Sequence, residues 1–434
     1  MKRKIAFIGA GSMVFTRNLV RDLLTFPAFS DDLEIALCDI NETNLGYSKS
    51  AVERIINDGK YGAKLTYTTD RREALDGADG VVITIAVGKP EDVLVDCAIP
   101  EKYGVTVCVG DTRGPTGIFR YLRTVPAMME IVRDIEKLCP DAILLNYTNP
   151  MAMICRTIQE ASNITATGLC HSVQGTAMML AGWIGASIDD ITYLCAGINH
   201  QAHYLSFKWN GKDAYPLIRD KVLNDKEIYE SEKVRNEMFL ALNYYVTESS
   251  HHNSEYNAWF RKRPELIQQY LREGSTRTAE KIRSRMDVTG ERRAERMRTW
   301  LAEPFTLERG REYASSIFNA VFGDYTMFEF NGNVRNFGLI DNLPAGCCVE
   351  SPVEASRAGL RPIHVGPLPA NLAILNGINA QVEDLAVRAY LTGDRSLIYQ
   401  CNYFDPLTSA VLSLNEIKKM TDEMFEAAKA WVPI

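Results

Sequence analysis

Short apolar runs alternating with stretches of helical spacing constrain this chain more than any other feature. The runs are Ile5-Ala6-Phe7-Ile8, Glu34 to Asp39, Leu65 to Thr68, Val81 to Ala86, Val105 to Val109 and Ala142 to Asn146. Unbroken apolar runs of this length suit strands buried on both faces. Phe15 to Phe26 carries apolar residues at helical spacing, and Asn41 and Thr43 are suited to start the following helix. Strands alternating with helices predict an α/β fold, a Rossmann-like doubly wound parallel sheet. Sheets of this kind bind ligands beyond the carboxyl ends of their strands.

At the first strand-to-helix junction stands Gly9-Ala10-Gly11-Ser12. Gly9 permits a tight turn, and Gly11 lets the backbone approach a pyrophosphate at the start of the helix, with Ser12 beside it. The third glycine of the usual pattern is Val14, so the turn alone is equally an ordinary strand–helix connection. Asp39, at the end of the second strand, adds weight. A carboxylate there accepts bonds from ribose hydroxyls and repels a 2′-phosphate, which points to NAD rather than NADP.

Polar groups gather after other strand ends. Asn146 to Pro150 leaves the sixth run, and Pro150 holds Asn149 extended, so that its amide can face a ligand. Gly110 to Gly117 reads as a polar loop outside the core, with Asp111 suited to sugar hydroxyls and Arg113 or Arg123 to other polar groups. Cys170-His171 and Asn199-His200 each follow a further apolar stretch. A cysteine is commonly a small buried hydrophobe and a single histidine a satisfied structural residue. Taken together, Cys170 and His200 are too few for a closed structural site, but they suit an open metal site with room for substrate oxygens.

Composition removes several alternatives. A net charge of −7 provides no basic footprint for nucleic acid. The ten cysteines are scattered, without disulfide-framework spacing. Met1-Lys2-Arg3-Lys4 runs straight into a strand, and nowhere do eighteen apolar residues run together. The expectation is a cytoplasmic protein that engages neither membrane nor nucleic acid.

The chain resembles the NAD- and manganese-dependent glycoside hydrolase family 4. The resemblance lies in Phe7 to Ser12, Asn146 to Pro150, Cys170-His171-Ser172-Val173-Gln174-Gly175, Ala196 to His200, Gly332 to Asn336 and Leu339 to Pro344. These segments span most of the chain in order, and Val14 at the third glycine position is usual in the family. The Cys-His-Ser-Val form accompanies its α-galactosidases. The resemblance implies a reaction that does not use the usual carboxylate pair. NAD⁺ takes a hydride from sugar C3, a base removes the C2 proton, and the glycosidic oxygen leaves C1. Water then adds, and the hydride returns. Cys170 and His200 would hold manganese or another divalent metal, with Asn199 beside them at the substrate. His171 would protonate the leaving oxygen, and Asn149 would bind a sugar hydroxyl. The C2 base is expected within Tyr244 to Tyr256, as Tyr256 or else His251.

This reading divides the chain into a nucleotide-binding domain, 1–165, and an α+β substrate- and metal-binding domain, 166–434, as in lactate and malate dehydrogenases. A homodimer or homotetramer is expected, acting on a small α-galactoside. Family α-glucosidases or α-glycuronidases of the same mechanism are the nearest alternatives. A simple NAD-dependent 2-hydroxy-acid dehydrogenase and a non-catalytic NAD and sugar sensor belong to other classes. Arg261 to Trp300 reads as a solvated helical face, and Cys347-Cys348 as a buried pair.

Overall fold

The computed structural model describes residues 2–286, 289–304 and 306–434. Six parallel strands form its centre: β1 (Arg3–Ile8), β2 (Leu33–Cys38), β3 (Lys64–Thr68), β4 (Gly80–Ile83), β5 (Ile143–Asn146) and β6 (Ala166–Gly168). Their spatial order is β3-β2-β1-β4-β5-β6, so the winding reverses between β1 and β4. This is the doubly wound order, with its ligand crevice at the reversal.

The apolar runs lie in the sheet because both faces are covered. Ala6, Ile8, Val81, Ile83 and Leu144 pack into one core, while Ile5, Phe7, Val82, Ile143 and Leu145 pack into the other. Successive side chains point to opposite faces, so a strand buried on both sides has no polar positions. Helix α1 (Met13–Leu24) buries Thr16, Leu19, Val20 and Leu23. Helix α2 (Glu42–Gly59) is capped by Asn41, whose side chain accepts from the Asn44 amide.

The strand expected at Val105 to Val109 does not form. A single bridge joins Val107 to Arg277, and the amides of Cys108, Val109 and Gly110 donate to the Glu255 carboxylate at 2.6, 2.7 and 3.0 Å. One buried side chain thus replaces the neighbour strand that these amides lack. Substitution Glu255→Ala is expected to cost about 3 kcal/mol of stability, because three amide donors, one buried and two half-buried, lose their acceptor. Urea denaturation measures this, and a loss below about 1 kcal/mol would contradict it.

Gly110 to Gly117 also differs from its reading as a loop. Only its first residues are loop, and a helix begins at Gly114 and runs to Leu138. Thr112, Arg113 and Thr116 are buried, because their polar groups find partners within the protein.

Beyond β6 the chain builds a smaller antiparallel sheet from β7 (Ile191–Ala196), β8 (His203–Trp209) and β9 (Lys212–Asp213). It then returns to the first sheet with β10 (Phe328–Arg335), β11 (Cys348–Ser356) and β12 (Gly359–Pro362), all antiparallel. Among the described residues the large sheet therefore has nine strands and runs across position 165, and Cys347 and Cys348 are buried at the start of β11. Among the described residues, no helix is long and apolar enough to cross a membrane.

Candidate active site

The nucleotide turn is shaped by contacts that leave no room for side chains. Gly9 has φ +88°, and a Cβ there would lie 2.8 Å from the Thr84 carbonyl carbon. A Cβ on Gly11 would lie 2.6 Å from Asp39 Oδ2. Asp39 accepts from the Gly11 amide through Oδ2 and from the Asn41 amide through Oδ1, both at 2.8 Å. The Gly11 amide is therefore engaged by Asp39 rather than left free for a phosphate. The first-turn amides of α1, which begins directly after Ser12, supply the donors instead. Ile40, beside Asp39, is 94% exposed, an apolar side chain next to the carboxylate suited to a ribose. The turn fits a dinucleotide.

Further along the same carboxyl edge, β6 delivers Cys170. The Ser172 amide, at the start of the helix Ser172–Trp183, donates to Cys170 Sγ at 3.5 Å. His200 follows β7 in a tight turn with φ +62°, and Glu248 has φ +64°. Non-glycine residues in this left-handed region cost of order 1–3 kcal/mol each and gather where function over-determines the backbone. Ligand atoms of Cys170, His200 and Glu248 lie within 4.8 Å of one another.

Hydrogen bonding fixes the state of His200. The Thr112 hydroxyl donates to Asp111 Oδ1 at 2.8 Å, so its contact of 2.9 Å with His200 Nδ1 must be donated by the imidazole. Burial lowers the His200 pKa to about 4, so the ring is neutral and its Nε2 carries a lone pair. That lone pair faces Glu248 Oε2 at 3.5 Å. Burial, together with Glu350 and Glu248, pushes the Cys170 thiol far above its usual range. A soft donor, an imidazole nitrogen and a carboxylate therefore converge within 4.8 Å of one another. This donor set fits a divalent metal.

A second network adjoins the first through Asp111. Its Oδ2 accepts from Asn149 Nδ2 at 3.1 Å, and its Oδ1 lies 3.4 Å from His252 Nε2. His252 Nδ1 lies 3.2 Å from Glu248 Oε1. Burial alone would lower the His252 pKa, but the hydrogen bonds to Asp111 and Glu248 raise it to about 10. The imidazolium is thus a clamp between two carboxylates. The Tyr256 hydroxyl lies 3.3 Å from His200 Nδ1, and its ring is covered by the Arg113 guanidinium, 4.6 Å from the centroid. Burial and Asp111 push this phenol well above its usual range, opposed by Arg113.

The remaining expected residues divide clearly. His171 is exposed at the mouth, stacked on Tyr147 at 5.8 Å, with Nε2 2.8 Å from Glu312 Oε2. Desolvation by the surrounding protein would lower its pKa, but Glu312 carries it upward and favours the protonated ring. Arg123 does not reach the site. It is buried and paired with Asp96 at 2.6 Å. Asn199 is fully buried, and its backbone carbonyl accepts from Arg113, a bond that braces the His200 turn. His251 lies in the field of Glu232 and Arg272, outside the cluster that holds its neighbour His252.

Sequence reasoning missed Glu248, His252 and Glu312. The first two carried a signal within Tyr244 to Tyr256: an acid and a histidine four apart, which one turn brings together. Glu312 had none, since it meets His171 from 141 residues away.

The family 4 glycosyl hydrolase profile matches residues 4–186, and the profile of that family's C-terminal domain matches residues 195–408. The chain belongs to glycoside hydrolase family 4. An α-galactosidase of Bacillus subtilis (strain 168) is 38% identical to this family 4 hydrolase over 440 residues, covering 99% of each chain. An α-galactosidase of Rhizobium meliloti (strain 1021) is 35% identical, over 99% of this chain and 89% of its own. An α-galacturonidase of Thermoanaerobacterium saccharolyticum is 29% identical, over 99% of this chain and 96% of its own. Among solved structures, a 6-phospho-α-glucosidase from gut microorganisms, in complex with NAD and Mn²⁺, aligns with TM-score 0.81 at 18% identity. It covers 100% of this chain and 99% of its own. A lactate dehydrogenase from Eimeria maxima, in complex with NADH and oxamate, aligns with TM-score 0.53 at 14% identity. That alignment covers 91% of the family 4 chain and 98% of the dehydrogenase, which bears out the dehydrogenase-like architecture.

Proposed function

We propose that this family 4 hydrolase is an α-galactosidase dependent on NAD and a divalent metal, manganese among the candidates. The observation that carries the reading is the convergence of Cys170 and the His200 lone pair on the sheet edge that also bears the Gly9–Asp39 nucleotide turn. Two α-galactosidases of nearly full-length similarity support galactose as the sugar. When bound, NAD⁺ supplies reversible hydride acceptance at sugar C3, and the metal supplies Lewis acidity toward the adjoining oxygens.

The protein's own groups then act as follows. Cys170 and His200 hold the metal, and Asp39 selects the ribose of NAD. Asn149 and Asp111, already hydrogen-bonded to each other, present polar atoms to sugar hydroxyls. Tyr256, with Arg113 over its ring, is the base for the C2 proton, provided that a bound metal's charge offsets the burial that otherwise keeps the phenol protonated. His171, kept protonated by Glu312, delivers a proton to the departing glycosidic oxygen. Residues 1–165 carry the nucleotide and 166–434 the metal and most substrate contacts, in a homodimer or homotetramer located in the cytoplasm.

Component omission tests the reading. With p-nitrophenyl α-galactoside, release of nitrophenol should require NAD⁺, Mn²⁺ and a thiol reductant together, with no net accumulation of NADH. Stoichiometric NADH would instead indicate a dehydrogenase, and no turnover of any glycoside would indicate a sensor. Preferential turnover of an α-glucoside or α-galacturonide would move the sugar assignment while leaving the mechanism in place.

A further inference from the structure

We propose that Glu248 is a third protein ligand of the metal, binding through Oε2; this rests on the reading of Cys170 and His200 as ligands. The two carboxylate oxygens have different surroundings. Oε1 accepts from the Ser249 amide at 3.0 Å and lies 3.2 Å from His252 Nδ1. Oε2 receives no hydrogen bond from the described residues and points toward His200 Nε2 at 3.5 Å. His200 Nδ1 is taken up by Thr112, so Nε2 is the ring nitrogen turned to Oε2. Two potential donor atoms facing each other in this way mark a place for a cation, and Cys170 Sγ closes the third side.

Charge supports the same assignment. A divalent ion with a thiolate and a neutral imidazole leaves one positive charge in a largely buried site. A carboxylate brings the sum to zero. It also adds a hard oxygen donor to a set that would otherwise be sulfur and nitrogen, which suits manganese. His252 then serves as the outer partner that orients the ligand, fixed at its far side by Asp111 at 3.4 Å. The left-handed backbone at Glu248 turns the side chain into this position, as it does for His200.

Mn²⁺ titration followed by the electron paramagnetic resonance of the free ion, at saturating NAD, tests the proposal on the full-length protein. Wild type is compared with Glu248→Gln, Glu248→Asp and Cys170→Ser, with NAD affinity and thermal melting recorded in parallel. Glu248→Gln should weaken Mn²⁺ binding about tenfold or more, a loss at the scale of ligand-sphere changes. Glu248→Asp keeps the charge but withdraws the oxygen by one methylene, and it should weaken binding as well. It also keeps the test decisive should Glu248→Gln fold poorly. Wild-type Mn²⁺ affinity in Glu248→Asp would assign Glu248 a purely electrostatic part and overturn the ligand role. Wild-type affinity in Glu248→Gln with weakened binding in Cys170→Ser would reject Glu248 alone and leave the proposed function standing. Wild-type affinity in all three variants would remove the Cys170–His200 site and this proposal with it.

Discussion

Replacing Cys170 by serine is expected to lower metal-dependent turnover by about 10³-fold or more, while NAD affinity stays within about twofold of wild type; the loss corresponds to the several kcal/mol that a Lewis acid contributes. The size of the effect follows from the surroundings of the sulfur. Burial and two nearby carboxylates hold Cys170 as a thiol in the metal-free protein, so it is not a free nucleophile of any potency. Only a bound cation makes the thiolate favourable, and binding therefore releases the proton. A serine hydroxyl has a far higher proton affinity and does not repeat that exchange. The nucleotide turn is built from Gly9, Gly11 and Asp39, which share no hydrogen bond with Cys170. Steady-state rates at saturating Mn²⁺ and fluorescence titration with NADH separate the two functions. Turnover near wild type in this variant would sink the assignment of Cys170 to the metal.

How far the sequence disclosed this arrangement depends on the range of the interactions. Five of the six apolar runs read as strands are parallel strands of the sheet; the run from Val105 to Val109 is a loop, and β6 supplies the sixth parallel strand. Apolar pattern reports burial, and Val105 and Val107 are indeed buried. It does not report whether the amides meet another strand or, as here, the Glu255 carboxylate. Cys170, His200 and Asn149 do converge, because each follows a strand, and Asp111 meets them from the loop that precedes the helix Gly114–Leu138. Arg123 and Arg113 show the limit. Both follow the same loop, and only the fold determines that Arg123 is consumed by Asp96 while Arg113 packs on Tyr256. The His171–Glu312 pair likewise depends on a segment that comes back from far along the chain.

Arg113 itself should prove costly to remove for stability. Its Nε lies 2.8 Å from Glu383 Oε1, with the two side chains only 1% and 6% exposed, and its Nη2 donates to the Asn199 carbonyl. Substitution Arg113→Met leaves the Glu383 carboxylate buried without its partner, an expected loss of about 3–5 kcal/mol. The neutralised pair, Arg113→Met with Glu383→Leu, should be distinctly more stable than Arg113→Met alone, because the Glu383 carboxylate is then no longer stranded. Equilibrium denaturation of the two singles and the double gives the coupling, and an Arg113→Met loss below about 1 kcal/mol would contradict a structural ion pair. Activity should not recover with stability. The guanidinium also covers the Tyr256 ring and ties down the carbonyl beside His200, and neither contact returns in the double variant. A folded but slow double variant therefore separates the two consequences of one residue: Glu383 answers for the stability, and the Tyr256 and Asn199 contacts answer for the rate.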